Sequence, residues 1–209
     1  DAGAIYSGRD PSMQGNIIRY NYFHHIGGLE GHGVASVYFD DGHCGNIVYG
    51  NIFYKAGIPG RSNFGAVFIH GGRYNRIENN VFIECQQAYN ESPWNQERWK
   101  KFWTEPPYNE RLFGKEIDVR KPPYSTKYPW LVNVLQDMRP NILKKNIVYR
   151  CKGFIDRGNQ EFIDNLVDAD VFEKIDLPYL KFKKDSDVFK IGFESIPAEK
   201  IGLKKTRKL

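Results

Sequence analysis

The sequence predicts an all-β fold, a parallel β-helix in which successive coils stack as a solenoid. Four segments share one pattern, with an apolar residue three positions before an Asn and another two positions after it. The Asn residues are spaced 30, 29 and 66 residues apart; they are Asn21, Asn51, Asn80 and Asn146. Self-similarity at such a period is typical of solenoids, and the apolar positions hold β-branched and aromatic strand formers. The Asn side chains are expected to stack at one turn, each satisfying backbone groups of a neighbouring coil.

A second set of strands precedes these Asn segments. Ala4–Tyr6, Ser36–Tyr38 and Ala66–Phe68 share a small, apolar, aromatic order, and Gly153–Ile155 is predicted as the fourth member. Gly-rich loops separate the coils, because Gly supplies the backbone angles that corners require. We therefore expect each coil to hold at least two strands joined by tight turns.

The regular pattern stops at residue 86 and resumes near residue 140. We predict coils over 1–85, an insertion over 86–140, a last coil over 141–170 and a capping tail over 171–209 that packs on the outside or across the last coil. Pro93–Trp103 is expected to be a short helix with Ser92 as its N-cap. Long insertions on rigid scaffolds carry binding residues, which makes Trp94 and Trp99 candidate substrate contacts. The alternative is that the Trp side chains form the insertion's own core or cover the coils.

Composition narrows the class of protein. The chain has 209 residues with 15% aromatic and 41% hydrophobic content, enough for one folded domain. The net charge of +5 owes much to Lys residues near the C-terminus. Basic and aromatic residues do not alternate on the repeats, so we expect no nucleic-acid partner. No apolar run approaches membrane-spanning length, and the chain is expected to act as a monomer without a membrane partner.

Cysteine usage and the chain start add two expectations. Cys85 and Cys151 occupy the same column of the repeat, so they are expected to stack as buried thiols, with a disulfide as the less favoured alternative. Cys44 lies in a turn, and no spacing of Cys and His resembles a zinc site. The chain opens directly into a strand at Gly3–Tyr6. We therefore expect it to be the C-terminal part of a longer protein, with an unfinished first coil.

Polar residues follow the aligned strands at one edge. Ser7–Asp10, Phe39–Gly42 and Ile69–Gly72 are expected to lie side by side, with Asp156 and Arg157 after the fourth strand. Glycoside hydrolysis requires two carboxyl groups. The crowding of Asp40, Asp41 and Asp10 is expected to raise the pKa of one of them and keep it protonated. The alternatives are that Asp40–Gly42 is only a turn, or that the carboxylates bind Ca²⁺, although no compact calcium loop is present.

Several strings resemble secreted right-handed parallel β-helix proteins of carbohydrate-degrading bacteria. They are DAGAIYSGRD, GNIIRYNYFHHIG, VYFDDGHCGNIVYGNIFYKAG, FIHGGRYNRIENNVF, RKPPYSTKYPWL, KKNIVYRC and FKIGFESIPAEKIGL. The nearest enzymatic group is glycoside hydrolase family 141, which has fucosidase and xylanase members. The resemblance implies a right-handed coil, a secreted or periplasmic location and an acidic pair drawn from Asp1 and one of Asp40 or Asp41.

We therefore expect a glycoside hydrolase that acts on a polysaccharide or oligosaccharide without a metal or other cofactor. The catalytic candidates are Asp1, Asp40 and Asp41. The substrate-binding candidates are Arg9, Asp10, His32, His70, Trp94 and Trp99. Two alternatives stay open. One is a non-catalytic carbohydrate-binding or adhesion solenoid, and the other is a polysaccharide lyase that uses a basic residue and an Arg or Ca²⁺.

Overall fold

The computed structural model describes residues 1–28, 32–57, 64–154 and 160–202. The strands lie mainly in three parallel sheets, which the chain crosses in the same order each time. The first sheet holds β1 (Ala2–Gly8), β4 (Val34–Asp40), β7 (Val67–His70) and β10 (Tyr89–Ser92). The second holds β2 (Ile17–Arg19), β5 (Ile47–Tyr49), β8 (Arg76–Glu78), β11 (Asn141–Lys144) and β13 (Gln160–Ile163). The third holds β3 (Tyr22–His24), β6 (Ile52–Tyr54), β9 (Val81–Ile83), β12 (Ile147–Tyr149) and β14 (Leu166–Val167). The predicted all-β class with parallel strands is confirmed.

We call one passage through the three sheets a coil. Equivalent residues of successive coils pair in register, as Phe23 does with Phe53 and Phe53 with Phe82. Their rings stack at centroid distances of 5.1 and 4.7 Å. Alternate strand residues point inward, so Phe53 and Phe82 are fully buried in a core that runs through the coils with Val37 and Val148.

The predicted Asn ladder is present. The Asn80 side chain accepts from the backbone N–H of Asn51 at 2.9 Å, and its amide donates to the Val48 carbonyl at 2.9 Å. Asn146 receives the equivalent bond from Asn80 at 3.0 Å, and the ladder continues to Asn165. Each Asn thus replaces backbone partners that are lost at the bend between the second and third sheets.

A second Asn ladder, which we did not predict, lies at the bend before the second sheet. Asn46 accepts from Asn16, Asn75 accepts from Asn46, and Asn141 accepts from Asn75. The signal was in the sequence, because each of these residues lies five positions before an Asn of the first ladder. Two bends of every full coil are therefore held by stacked amides.

The coils on either side of the insertion stack directly, as the cysteine columns predicted. The backbone N–H of Cys85 lies 3.3 Å from the Cys151 sulfur, and both thiols are free. Cys85 is buried and Cys151 is partly buried. The expectation of neighbouring reduced thiols is confirmed.

The insertion leaves the coil later than predicted. β10 belongs to the regular first sheet, where it pairs with β7, so the departure comes after Ser92 and not at residue 86. Tyr89–Ser92 is the fourth strand of this sheet. Gly153 and Phe154 of the predicted strand are not in a strand, and Ile155, Asp156 and Arg157 lie outside the described residues. The predicted last coil, 141–170, holds β11 and β12 of one coil and β13 and β14 of the next.

The insertion has its own apolar core. It contains α1 (Gln96–Thr104), α2 (Glu110–Phe113), α3 (Tyr124–Lys127) and a 3-10 helix (Pro129–Asn133). The helix predicted over Pro93–Trp103 begins later, because the Asn95 side chain caps the backbone N–H of Arg98 at 2.8 Å; Ser92 stays in the sheet. The core is built from Trp94, Trp99, Trp103, Leu112, Val119, Leu131 and Val134, with Cys44 of the coils.

The tail packs on the outer face of the third sheet, as predicted. It forms an antiparallel hairpin of β15 (Phe172–Asp176) and β16 (Tyr179–Phe182), followed by α4 (Asp187–Lys190) and a 3-10 helix (Ala198–Lys200). Phe172 and Val188 pack with Val81, Ile83 and Ile147. The basic run at 204–208 lies outside the described residues. The helices of the described chain are all too short or too polar to cross a membrane.

Candidate functional site

The polar edge of the first sheet carries the candidate site. Asp40 ends β4, Asp41 follows it, and His70 ends β7 on the next coil. Phe39 pairs with Ile69, so the residues after them, Asp40 and His70, meet side by side. We call Asp40, Asp41 and His70 the acidic–His cluster.

Two glycines let the insertion approach this edge. Gly42 and Gly71 both have positive φ, and a Cβ on Gly42 would lie 2.6 Å from the ring of Trp103. A Cβ on Gly71 would lie 2.3 Å from the ring of Trp94. Side chains other than hydrogen would therefore push the insertion away, which explains why glycine follows both Asp41 and His70.

The cluster is joined by hydrogen bonds to one imidazole nitrogen. The Nδ1 atom of His70 lies 3.1 Å from Asp40 Oδ1 and 3.0 Å from Asp41 Oδ1. Asp40 also accepts from the Tyr38 hydroxyl at 2.8 Å and from the Tyr6 hydroxyl at 2.6 Å. Asp40 is thus a buried, fully bonded carboxylate that orients the His70 ring.

Asp41 is the more accessible carboxylate of the pair. Its Oδ2 accepts from Arg9 Nε at 2.9 Å, and the Arg9 side chain is 53% exposed against 18% for Asp41. Arg9 is therefore at the mouth of the site, as predicted, where incoming polar groups of a ligand can replace its bond to Asp41 without opening the core.

Neither carboxyl of the pair is kept protonated, which corrects our expectation. Burial favours the neutral form of Asp40, but hydrogen bonds from His70, Tyr6 and Tyr38 outweigh it and hold the pKa well below its usual range. The hydrogen bond from His70, helped by Arg9, also lowers the pKa of Asp41. We predicted that repulsion between the carboxylates sets their pKa values, but the hydrogen-bond donors around them have the larger effect. Both groups are ionised near neutral pH.

Hydrogen bonds on the two ring nitrogens of His70 have opposite effects on its pKa. Hydrogen bonds to Asp40 and Asp41 raise its pKa to about 9. The indole N–H of Trp94 donates to His70 Nε2 at 3.2 Å, and this bond requires a lone pair on Nε2, so it favours the neutral ring. The carboxylate bonds are the shorter, charge-assisted ones, and we expect the imidazolium to form when the indole turns aside.

Replacement of Trp94 with Phe is expected to raise the pKa of His70 further, because the donor that opposes Nε2 protonation is removed. The proton affinity of the ring should increase by roughly tenfold, the amount that corresponds to about 1.4 kcal/mol. NMR titration of labelled imidazole signals in the wild type and the variant measures this pKa. A lower pKa in the variant would show that the indole does not restrain the proton.

The register separates Asp1 from the cluster. Asp1 precedes β1, which is 7 residues long and ends at Gly8 beside Asp40. At about 3.3 Å per residue the two carboxylates lie roughly 23 Å apart, beyond any glycosidase pair. Asp1 instead accepts from the backbone N–H of Gly33 at 3.0 Å. The expected pairing of Asp1 with Asp40 or Asp41 is not formed.

Two substrate-binding candidates, His32 and Trp99, also lie away from the cluster, and Asp10 is bonded elsewhere. His32 is exposed ahead of β4, at the opposite end of that strand from Asp40. Trp99 is 1% exposed and donates to the Val134 carbonyl at 2.8 Å, so it is a core residue that a sugar cannot reach. Asp10 is closer to the edge, but it accepts from Ser12 and lies 3.6 Å from Arg111.

Trp94 does reach the cluster, through its indole N–H. Its ring lies 5.3 Å from the His70 ring at an interplanar angle of 88°. We did not predict the part played by Tyr6 and Tyr38. Their shared column, one coil apart and two residues before Gly8 and Asp40, was the available signal.

The three cluster side chains could also hold a cation. One ligand atom from each lies within 4.8 Å of the others. Ca²⁺ prefers six or more oxygen ligands, whereas an imidazole with two carboxylates is a donor set for transition metals. A cation would have to displace the His70 proton from both Asp residues.

Comparisons with protein-family models, with curated proteins and with solved structures each found no match for this chain. The chemistry of the cluster and the resemblance of its sequence strings therefore carry the functional argument.

Proposed function

We propose that the chain is a glycoside hydrolase whose active site is the acidic–His cluster. The observation that carries the proposal is the His70 imidazole held between two ionised carboxylates at the open edge of a rigid sheet. Acid–base chemistry requires one group that retains a proton and a second group that is ionised, and His70 and the carboxylates meet this requirement. The resemblance to glycoside hydrolase family 141 supports the choice of glycosides as substrates.

In this proposal the roles differ from those of a two-carboxylate enzyme. His70 donates its Nε2 proton to the leaving oxygen after Trp94 turns aside. Asp41 attacks the anomeric carbon as the nucleophile and forms a glycosyl ester, because its carboxylate lies within 4.8 Å of a His70 ring nitrogen, the separation of a retaining pair. The neutral His70 then takes a proton from the water that hydrolyses the ester and releases the Asp41 carboxylate. Asp40 holds the His70 ring and stabilises its charge, while Arg9 exchanges its bond with Asp41 for one with the sugar. One water is consumed for each glycosidic bond that breaks.

The architecture proposed for this enzyme is a right-handed parallel β-helix. Parallel strands joined by a crossover are right-handed in about 98% of cases, and every coil here returns to pair in parallel with the previous one. The polymer would lie along the edge where successive coils expose their strand ends. A secreted or periplasmic location and a monomeric state belong to the same proposal.

A carbohydrate-binding solenoid without catalysis is the second candidate. It is favoured by the low pKa of both carboxyls, because the usual carboxylic acid catalyst is lacking. In that case Asp41 and Arg9 would bind sugar hydroxyls, and His70 would only order the carboxylates.

Release of new reducing ends from a panel of plant and host polysaccharides separates the two candidates. We expect activity on at least one polymer, and His70→Gln should lower kcat by about 10²-fold or more because the proton donor is lost. Gln retains a similar reach and polarity. If the wild type binds a polymer but releases no ends from any of them, the binding function is correct. If His70→Gln is fully active, His70 is not the acid.

A further inference from the structure

An open pocket of about 240 Å³ lies on the surface of the insertion. One face of α1 and the segment after it line the pocket. The lining residues are Arg98, Lys101, Phe102, Glu105, Pro106 and Tyr108. The positions 98, 101, 102 and 105 are spaced three and four residues apart, so a single helix face presents them together.

Trp94 connects this pocket to the cluster. Its ring contacts His70 on one side and Phe102 on the other, with centroid distances of 5.3 and 4.8 Å. Arg98 lies over the same indole at 4.3 Å. The rings of Phe102 and Trp94 therefore connect a ligand in the pocket to the proposed proton donor.

The floor of the pocket is aromatic. Phe102 and Tyr108 stack at 4.2 Å with an interplanar angle of 16°, and both rings are partly exposed. Because the two rings stack on each other, each covers one face of the other, and the apolar surface left for a ligand is an outer ring face with the ring edges, preorganised at low entropic cost. The C–H face of a pyranose ring fits such a surface, and its hydroxyls then point to the rim.

The rim is cationic and its charges are available. Arg98 and Lys101 are exposed, and neither forms an ion pair within the described part of the chain. Arg111 lies 6.0 Å from the Tyr108 ring but is paired with Asp10 at 3.6 Å, so Arg98 and Lys101 carry the charge of the rim. Glu105 is the single acidic lining residue. Unpaired cations around an aromatic floor favour an anionic ligand, and Arg forms paired hydrogen bonds with planar oxyanions.

We propose that this pocket is a subsite for a negatively charged sugar, either a uronate or a sulfated residue, of the polysaccharide bound at the cluster. The inference rests on the proposed function for the identity of the polymer, but the pocket binds its sugar whether or not the cluster is catalytic. The two anionic groups share the chemistry of an oxyanion on a pyranose ring, and the probes below distinguish them.

Isothermal titration calorimetry of the full chain tests the subsite at low salt. The probes are a galacturonate oligosaccharide, a sulfated galactose oligosaccharide and a neutral galactose oligosaccharide of the same length. We expect one anionic probe to bind more tightly than the neutral one. Lys101→Glu should weaken that binding by about tenfold, because it reverses a charge on the rim.

Lys100→Glu is the matched control, since Lys100 is exposed on α1 but does not line the pocket. We expect it to change binding by less than about twofold, and the uronate or sulfate that binds best identifies the anion. Equal losses in the two variants would show that only the overall charge matters and would overturn the subsite. Equal binding of the neutral and anionic probes would overturn it as well. Asp41→Asn leaves the pocket intact and should bind the anionic probe as the wild type does; full hydrolysis by this variant would contradict the proposed enzyme and leave the subsite standing.

Discussion

Asp41→Asn is expected to lower kcat by about 10³-fold, while the chain stays folded. The amide has nearly the shape of the carboxylate but cannot attack the anomeric carbon, so the covalent route through a glycosyl ester is lost. Asp41 is only partly buried and its main partners are Arg9 and His70. Its replacement therefore leaves the core of the coils in place, and the loss should appear in kcat more than in KM.

Two further variants make this result specific. Asp176→Asn changes an exposed carboxylate on the β15–β16 hairpin and should retain the activity of the wild type. Asp40→Asn removes the first partner of the His70 ring, so the pKa of His70 should fall towards its ordinary value and the activity with it. Activity of Asp41→Asn within about threefold of the wild type would remove Asp41 from the mechanism.

Asn80→Ala is expected to destabilise the fold by about 2–6 kcal/mol. The change leaves the backbone N–H of Asn51 and the carbonyl of Val48 without their partners in the core. A buried unsatisfied group costs about 1–3 kcal/mol. Denaturant unfolding followed by circular dichroism measures the free energy of unfolding.

The first row of the same ladder provides the control. The Asn21 side chain lies at the exposed end, where its amide donates to the Arg19 carbonyl and to Asn51. Asn21→Ala orphans fewer buried groups and is expected to cost less than about 1 kcal/mol. Equal costs at the two positions would mean that the amides act individually as turn residues, and not through stacking between coils.

The repeat could be predicted from sequence because it is a local and regular property. An Asn at the bend between the second and third sheets and an apolar residue two positions later recur in every full coil, so the ladder, the stacked Phe side chains and the adjacent thiols followed from their spacing. The same regularity placed Asp40, Asp41 and His70 at one edge. The second ladder, which includes Asn46 and Asn75, is equally regular, because its members lie five positions before those of the first.

Features that depend on distant contacts were harder to predict. The family resemblance implied that Asp1 pairs with Asp40 or Asp41. The position of a residue along its strand, however, decides which end of the sheet its side chain reaches, and Asp1 and Asp40 lie at opposite ends. The sequence of the insertion contains no repeat, so the burial of Trp99 and the contact of Trp94 with His70 could not be derived from residue spacing. The protonation states followed from donors on three different coils.

Digestion of the most responsive polysaccharide in heavy-oxygen water, followed by mass spectrometry, tests the central claim most directly. If the acidic–His cluster hydrolyses glycosidic bonds, each new reducing end carries one heavy oxygen atom, and Asp41→Asn yields almost no such product in the same time. Products that carry no label and contain an unsaturated sugar would establish elimination and a lyase. Labelled products formed equally by the wild type and Asp41→Asn would place hydrolysis at another site and contradict the account.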